Sequence, residues 1–142
     1  MKEKMINYFK NVVNETAKLS TCQSKQVGAL LVKDNRILSI GYNGVPSGQK
    51  HCNEIKFKDR EEHHQWSELN EIHAEMNCIA FAAKNGISTK DTTLIVQLSP
   101  CINCAKLIVA SEIKEVYYSE KYDKDKFGIE FLQNCGIKVY KL

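Results

Sequence analysis

The sequence predicts an α/β fold in which a mixed β-sheet is covered by helices. Its 142 residues suit one domain, 1–142, with a hydrophobic core of its own. Two apolar segments near the start are joined by a tight polar turn, which is typical of an antiparallel hairpin. Later apolar segments alternate with helical patterns, which is typical of parallel strands joined by right-handed crossovers.

The first half is predicted to contain one helix and one hairpin. Apolar residues recur at helical intervals in the opening segment, at Ile6, Phe9, Val12, Val13 and Leu19. Strands follow at 27–32 and 37–42, joined at Lys33, Asp34 and Asn35. We expect the next segment, from 43 to about 67, to be a loop.

The second half is predicted to alternate helices and strands. A helix begins near His73 and ends at Asn85 and Gly86, which form a good C-terminal stop. A second helix opens after Pro100. The remaining predicted elements are strands at 93–98, 115–118 and 137–140 and a helix near 124–133.

Composition restricts the expected cellular location of the protein and the classes of partner that it could bind. The chain has 20 basic and 17 acidic residues, a net charge of only +3, and no basic stripe, so we expect no nucleic-acid partner. No apolar run reaches membrane-spanning length, and the first residues lack the apolar core of a signal peptide. With no export signal, six cysteines favour reduced thiols and metal ligands, hence a cytoplasmic location.

The most informative motif joins His73 and Glu75 to Cys101 and Cys104, which follow Pro100. One histidine and two cysteines form a three-ligand set for Zn²⁺ with a fourth position open, which is typical of a catalytic site. Glu75 is then a proton shuttle and not a ligand. This spacing is the signature of zinc-dependent nucleobase deaminases. A Cys-x-x-Cys pair that stands alone is often a structural zinc half-site or a redox pair.

Helix geometry restricts where these residues lie. Side chains two apart point to nearly opposite sides in mid-helix, so His73 and Glu75 share a site only at the very start of a helix. Cys101 and Cys104 are three apart and share one face of a first turn. Two helix N-termini would then point at the metal, where their dipoles favour thiolate.

Nearly the whole chain resembles one family. The segments that carry the resemblance are Val27-Gly28-Ala29, Gly41 through Gly48, Cys52, Trp66-Ser67, Asn70 through Asn77, Leu98 through Ala105, and Tyr122-Asp123-Lys124. The chain resembles deoxycytidylate deaminases of the phage and viral type, in the cytidine deaminase-like superfamily. The resemblance implies a three-layer α/β/α fold with a mixed five-stranded sheet.

The resemblance also implies an activity. It implies conversion of dCMP to dUMP and ammonia for thymidylate synthesis, by a homo-hexamer that dCTP activates and dTTP inhibits. Some viral relatives have a wider substrate range, so a bifunctional enzyme that also accepts dCTP is an alternative.

Residue roles carry over from the family one at a time. Asn43 and Glu71 match sugar-binding residues, while Ser24, Lys25 and Tyr122 are candidates to hold the phosphate. The family's usual basic pattern is not intact at 20–26. The glycine-rich loop after the second strand matches the site of an effector triphosphate with Mg²⁺. Its residues are Tyr42, Gly44, Pro46 and Gly48.

A second, structural zinc is also implied by the resemblance. Cys22, Cys52 and His63 match ligands of such a site in phage-type members. A closed zinc site needs four ligands. The sequence does not decide which residue is the fourth ligand, because His51, Asp59 and His64 are all available.

Three other classes of protein share part of this pattern but fit the sequence less well. A free-nucleoside cytidine deaminase usually presents cysteine in place of His73 and lacks the insert between Cys52 and His73. A tRNA adenosine deaminase would need a basic surface. A non-enzymatic zinc module would have no use for Glu75 beside an open coordination position.

Overall fold

The computed structural model describes all 142 residues. Its helices are α1 (Glu3–Ala17), α2 (Arg60–Asn70), α3 (Ala74–Lys84), α4 (Ile102–Ala110) and α5 (Phe127–Asn134). Its strands are β1 (Gly28–Lys33), β2 (Arg36–Tyr42), β3 (Thr93–Leu98), β4 (Glu115–Glu120) and β5 (Lys138–Lys141). None of the helices has the length and apolar composition of a membrane span.

The five strands form one mixed sheet in the order β2-β1-β3-β4-β5. β1 pairs antiparallel with both β2 and β3, whereas β3, β4 and β5 run parallel. The β1–β2 turn places Asp34 and Asn35 at φ 50° and 62°, which suits a two-residue hairpin that follows the strand twist. The predicted α/β fold and mixed five-stranded sheet are confirmed.

Helices cover both faces of the sheet. Helix α1 packs on one face through Phe9 and Val13, which meet Leu30 and Ile95. The other face carries α3, α4 and α5 over a larger core that includes Leu31, Leu94, Val96, Ile108 and Leu132. The motif of His73, Glu75, Cys101 and Cys104 lies on this second side, because α3 and α4, the helices that carry it, pack there.

Two sequence expectations were wrong. Leu19 lies beyond the end of α1 and is 55% exposed, so it belongs to the connecting segment and not to the helix core. The predicted 43–67 loop contains most of α2. This helix buries no residue, and its only apolar residues are Trp66 and Leu69, which are too few to form a recognisable helical pattern. The signal that could have found it is Asp59, whose side chain accepts the Glu62 backbone N–H as an N-cap.

Candidate active site

Two helix N-termini bring the first metal-ligand set together. His73 is the N-cap of α3 and Cys101 the N-cap of α4, as the spacing predicts, and Cys104 lies in the first turn of α4. His73 Nδ1 is 3.3 Å from Cys104 Sγ and 3.5 Å from Cys101 Sγ. All three ligand atoms lie within 4.8 Å of one another, so a single ion of zinc's size fits among them.

Backbone hydrogen bonds from the loop after β2 hold the segment that precedes His73. Ile72 N–H donates to the Gly44 carbonyl at 2.8 Å, and Gly44 N–H donates back to the Ile72 carbonyl at 3.1 Å. This isolated bridge ties the residue before His73 to the segment after β2. The loop predicted to hold an effector is therefore attached directly to the metal-binding turn.

Charges in the first cluster are strongly coupled. A hydrogen bond from Cys104, and next the His73 ring, lower the pKa of the Cys101 thiol to about 4. The hydrogen bond with Cys101 raises the pKa of His73 to about 9. Donating to Cys101, together with burial, raises the pKa of Cys104. Two sulfurs and an imidazole so close together are a soft donor set, which fits Zn²⁺.

Glu75 lies beside this cluster in the first turn of α3. It is 5% exposed, and burial raises the pKa of its carboxyl above the ordinary range. The neighbouring His73 charge opposes that shift. A buried carboxyl with a raised pKa is suited to take up and release a proton near neutral pH.

A second cluster joins four segments of the chain. His63 Nε2 lies 3.2 Å from Cys52 Sγ and 3.8 Å from Cys22 Sγ. The fourth member is Glu71, whose Oε1 is 3.9 Å from the same nitrogen. Burial raises the pKa of the Cys22 thiol to about 11.

The fourth-ligand expectation is corrected by this placement. The Asp59 side chain caps α2, His51 Nδ1 contacts Thr21 Oγ1 at 3.1 Å, and His64 lies beside Glu68 on an exposed face. None of the three candidates joins the cluster, whereas Glu71 does. The Glu71 side chain is only 3% exposed and belongs to the second cluster, which leaves little of its surface for the predicted contact with a sugar. Glu71 was missed as a ligand because it is the C-cap of α2, a helix that was not predicted, so its position relative to His63 in that helix was not known.

Comparison with known proteins identifies the family. The family model described as "Cytidine and deoxycytidylate deaminase zinc-binding region" matches residues 2–120. The chain belongs to this deaminase family. The deoxycytidylate deaminases of Enterobacteria phages T2 and T4 are each 39% identical to it, over 87% of this chain and 84% and 82% of theirs. A crystal structure of dCMP deaminase from cyanophage S-TIM5 in complex with dCMP and dUMP has a TM-score of 0.86 and 31% identity, covering 100% of this chain and 99% of that chain.

The sugar and phosphate candidates of this deaminase lie near one end of the sheet. Asn43 accepts from Val27 N–H and donates to the Lys25 carbonyl, both at 2.8 Å, so its amide fixes that segment. Lys25 Nζ pairs with Glu120 at 3.2 Å on the surface, and Ser24 is exposed. Tyr122 is half-buried. Burial raises the pKa of its hydroxyl, and the charge of Cys101 adds to the shift.

The four predicted effector residues do not line one common cavity. Pro46 lines a cavity of about 320 Å³ between the loop and one face of α2. Gly44 instead pairs with Ile72, Tyr42 is exposed at the end of β2, and Gly48 has a φ of 85° in an open turn. The other residues that line the cavity are Val45, Gln49, Lys50, Trp66, Leu69 and Asn70.

Proposed function

We propose that the protein is a zinc-dependent deaminase that hydrolyses dCMP to dUMP and ammonia. The observation that carries the proposal is the buried Glu75 beside a three-donor cluster at two helix N-termini. The similarity to phage deoxycytidylate deaminases, and to a cyanophage enzyme solved with dCMP and dUMP, supports this substrate.

The donor set suits the metal that this chemistry needs. His73, Cys101 and Cys104 would hold Zn²⁺ and leave one coordination position open. When bound, zinc lowers the pKa of a bound water from about 15.7 to about 7, so that a nucleophile is available at neutral pH.

Glu75 moves the protons. Its carboxylate accepts a proton from the attacking water and delivers it to the ring nitrogen, N3. It then takes the second proton from the hydroxyl that has been added to the ring carbon and gives it to the departing amine. The C–N bond breaks, the hydroxyl oxygen becomes the carbonyl of dUMP, and water and dCMP yield dUMP and ammonia without another reactant. Burial favours this cycle, because it raises the pKa of the carboxyl and so helps it to hold the proton that it takes from the water.

Other residues would bind the nucleotide. Asn43 retains hydrogen-bonding capacity beyond its two backbone bonds, since an amide has two lone pairs and two N–H groups. Tyr122, Ser24 and Lys25 are the phosphate candidates, and Lys25 would have to exchange its Glu120 partner for the phosphate.

Ammonia release tests the proposal. The purified protein is incubated with dCMP, dCTP, deoxycytidine and CMP in parallel. We expect turnover of dCMP to exceed that of deoxycytidine and CMP. Comparable turnover of dCTP would indicate the bifunctional alternative, while zinc binding without turnover of any compound would support a non-enzymatic zinc module and refute the proposal.

We also propose effector control of this activity, with dCTP and Mg²⁺ as activator, dTTP as inhibitor, and a hexamer as the regulated form in thymidylate supply. The Gly44–Ile72 bridge supports it, because it joins the glycine-rich loop to the residue before His73. The same assay run with each effector, alongside mass measurement in solution, tests it. A monomer whose rate neither nucleotide changes would refute the control.

We propose that the second cluster holds a structural Zn²⁺ through Cys22, Cys52, His63 and Glu71. Glu71 Oε1 is buried and makes no hydrogen bond within the protein. An unpaired buried carboxylate oxygen beside two thiols is costly, and a cation removes that cost. Four donors close the site, which is typical of a structural zinc.

Loss of this second zinc is expected in Cys22→Ala and Glu71→Gln. Each change removes one of four donors, so zinc content should fall by one per chain while His73, Cys101 and Cys104 remain. Helix α2 should then become more susceptible to proteolysis, because it buries no residue of its own. Elemental analysis and limited proteolysis measure both effects.

Glu61→Gln is the matched control, because Glu61 is exposed on the same helix and lies outside the cluster. It should retain full zinc content. If Glu71→Gln also kept its zinc but bound dCMP more weakly, the sugar-binding role would replace the ligand role.

A further inference from the structure

One carboxylate caps two helices beside the first metal-ligand set. Asp125 Oδ2 accepts the Ile102 N–H at 2.7 Å, at the first residue of α4. Asp125 Oδ1 accepts from Phe127 N–H at 2.9 Å and Gly128 N–H at 3.2 Å, in the first turn of α5. The residue therefore joins the N-termini of both helices.

These helices have no other side-chain cap. Neither Cys101 nor Lys126, the N-cap residues of α4 and α5, makes a side-chain capping bond. The first N–H groups of a helix have no partner within the helix, and a carboxylate there is favoured by the helix dipole. Asp125 supplies that partner for Ile102, the residue directly after Cys101.

The segment that carries Asp125 is attached to the metal-binding turn at two further points. At its start, Tyr122 N–H donates to Ser99 Oγ at 2.6 Å, and Ser99 is 2% exposed. At its end, Gly128 lies so close to Pro100 that a Cβ there would overlap the Pro100 carbonyl oxygen. Residues 122–128 thus contact residues 99–102 at three points, through Tyr122, Asp125 and Gly128.

We propose that Asp125 is a positioning residue for the metal centre. It fixes the Cys101 turn against the segment that bears Tyr122, and so sets the aim of Cys101 Sγ toward His73. The inference rests on the proposed zinc site of His73, Cys101 and Cys104. Removal of the carboxylate frees the Ile102 N–H and lets the turn rotate, which weakens metal binding and displaces Tyr122.

Metal affinity in the full-length protein tests the role. Zn²⁺ is titrated against a chelator for the wild type, Asp125→Ala, Asp125→Asn and the control Asp123→Ala. The part of the zinc-binding signal that is lost in Cys101→Ala belongs to the site of His73, Cys101 and Cys104. Asp123 is exposed and contributes none of the three bonds. We expect Asp125→Ala to lose about 10–100-fold in affinity, as is usual when a partner outside the ligand set is removed. Asp123→Ala should match the wild type.

Asp125→Asn gives a graded test that does not depend on Asp125→Ala folding. The asparagine side chain has one amide oxygen, which can accept hydrogen bonds from the N-terminus of only one of the two helices. Its amino group would face the N–H of the other helix, so we expect a loss of zinc affinity between those of the wild type and Asp125→Ala. The absorption bands of Co²⁺ bound in place of zinc should shift in both Asp125 variants. With dCMP, KM should rise together with the loss of kcat, because Tyr122 moves with the segment.

The outcomes separate this inference from the proposed function. If both Asp125 variants melted at a lower temperature yet kept wild-type zinc affinity and unchanged cobalt bands, Asp125 would be merely structural and the inference overturned. If the wild type bound zinc but deaminated nothing, the proposed function would fail. The graded loss of affinity would then still support the positioning role.

Discussion

Replacing Glu75 with glutamine is expected to lower turnover of dCMP by about 10²- to 10⁴-fold, the usual contribution of a positioned acid–base group. Glutamine has nearly the same shape, so the buried site should still fold and hold its zinc. Its amide neither accepts the water's proton nor releases one to N3 or the leaving amine. The measurement is single-turnover ammonia release together with zinc content.

Glu3→Gln makes the same chemical change at an exposed position in the first turn of α1 and should leave turnover unchanged. Nucleotide affinity in Glu75→Gln should also stay close to wild type, because the lost function is proton transfer and not binding. Near-normal turnover in Glu75→Gln would refute the shuttle role and direct attention to another acid–base group.

Replacing Gly41 with alanine is expected to destabilise the fold by about 3 kcal/mol, near the upper end for an overpacked core. A Cβ at this position in β2 would lie 2.5 Å from Cys78 N and would overlap the Ala74 carbonyl oxygen. Both atoms belong to the backbone of α3, so the overlap cannot be relieved by the movement of a flexible side chain. Helix α3 must shift, and it carries Glu75 and the His73 N-cap with it.

Thermal unfolding measures the effect, with an expected decrease in Tm of roughly 10 °C for a chain of this size. Activity should fall as well, because the metal-binding turn moves. Gly44→Ala is the matched control: nothing lies within 4 Å of a Cβ built there, and Gly44 has no positive φ. An unchanged Tm in Gly41→Ala would mean that α3 packs less closely on β2 than the structure places it.

Local patterns were enough to predict most of the secondary structure. The β1–β2 hairpin follows from two apolar segments around Asp34 and Asn35, residues that tolerate positive φ. The helical start at His73 follows from the need to aim it and Glu75 at one site. Helix α2 was missed by hydrophobic periodicity, because it has only two apolar residues, Trp66 and Leu69, and buries none of its residues. Its capping residue, Asp59, was the signal that remained.

The sequence by itself determined which residues form the first cluster, and it predicted their chemistry, because donor types and their spacing at two helix starts restrict both the metal and the reaction. Only the tertiary structure decided which residue is the fourth member of the second cluster and that Asp125 caps two helices. Cys22 and Glu71 are 49 positions apart in the sequence, and Asp125 and Ile102 are 23 apart. Such contacts depend on how the loops between elements close over the sheet, which no local period or spacing encodes.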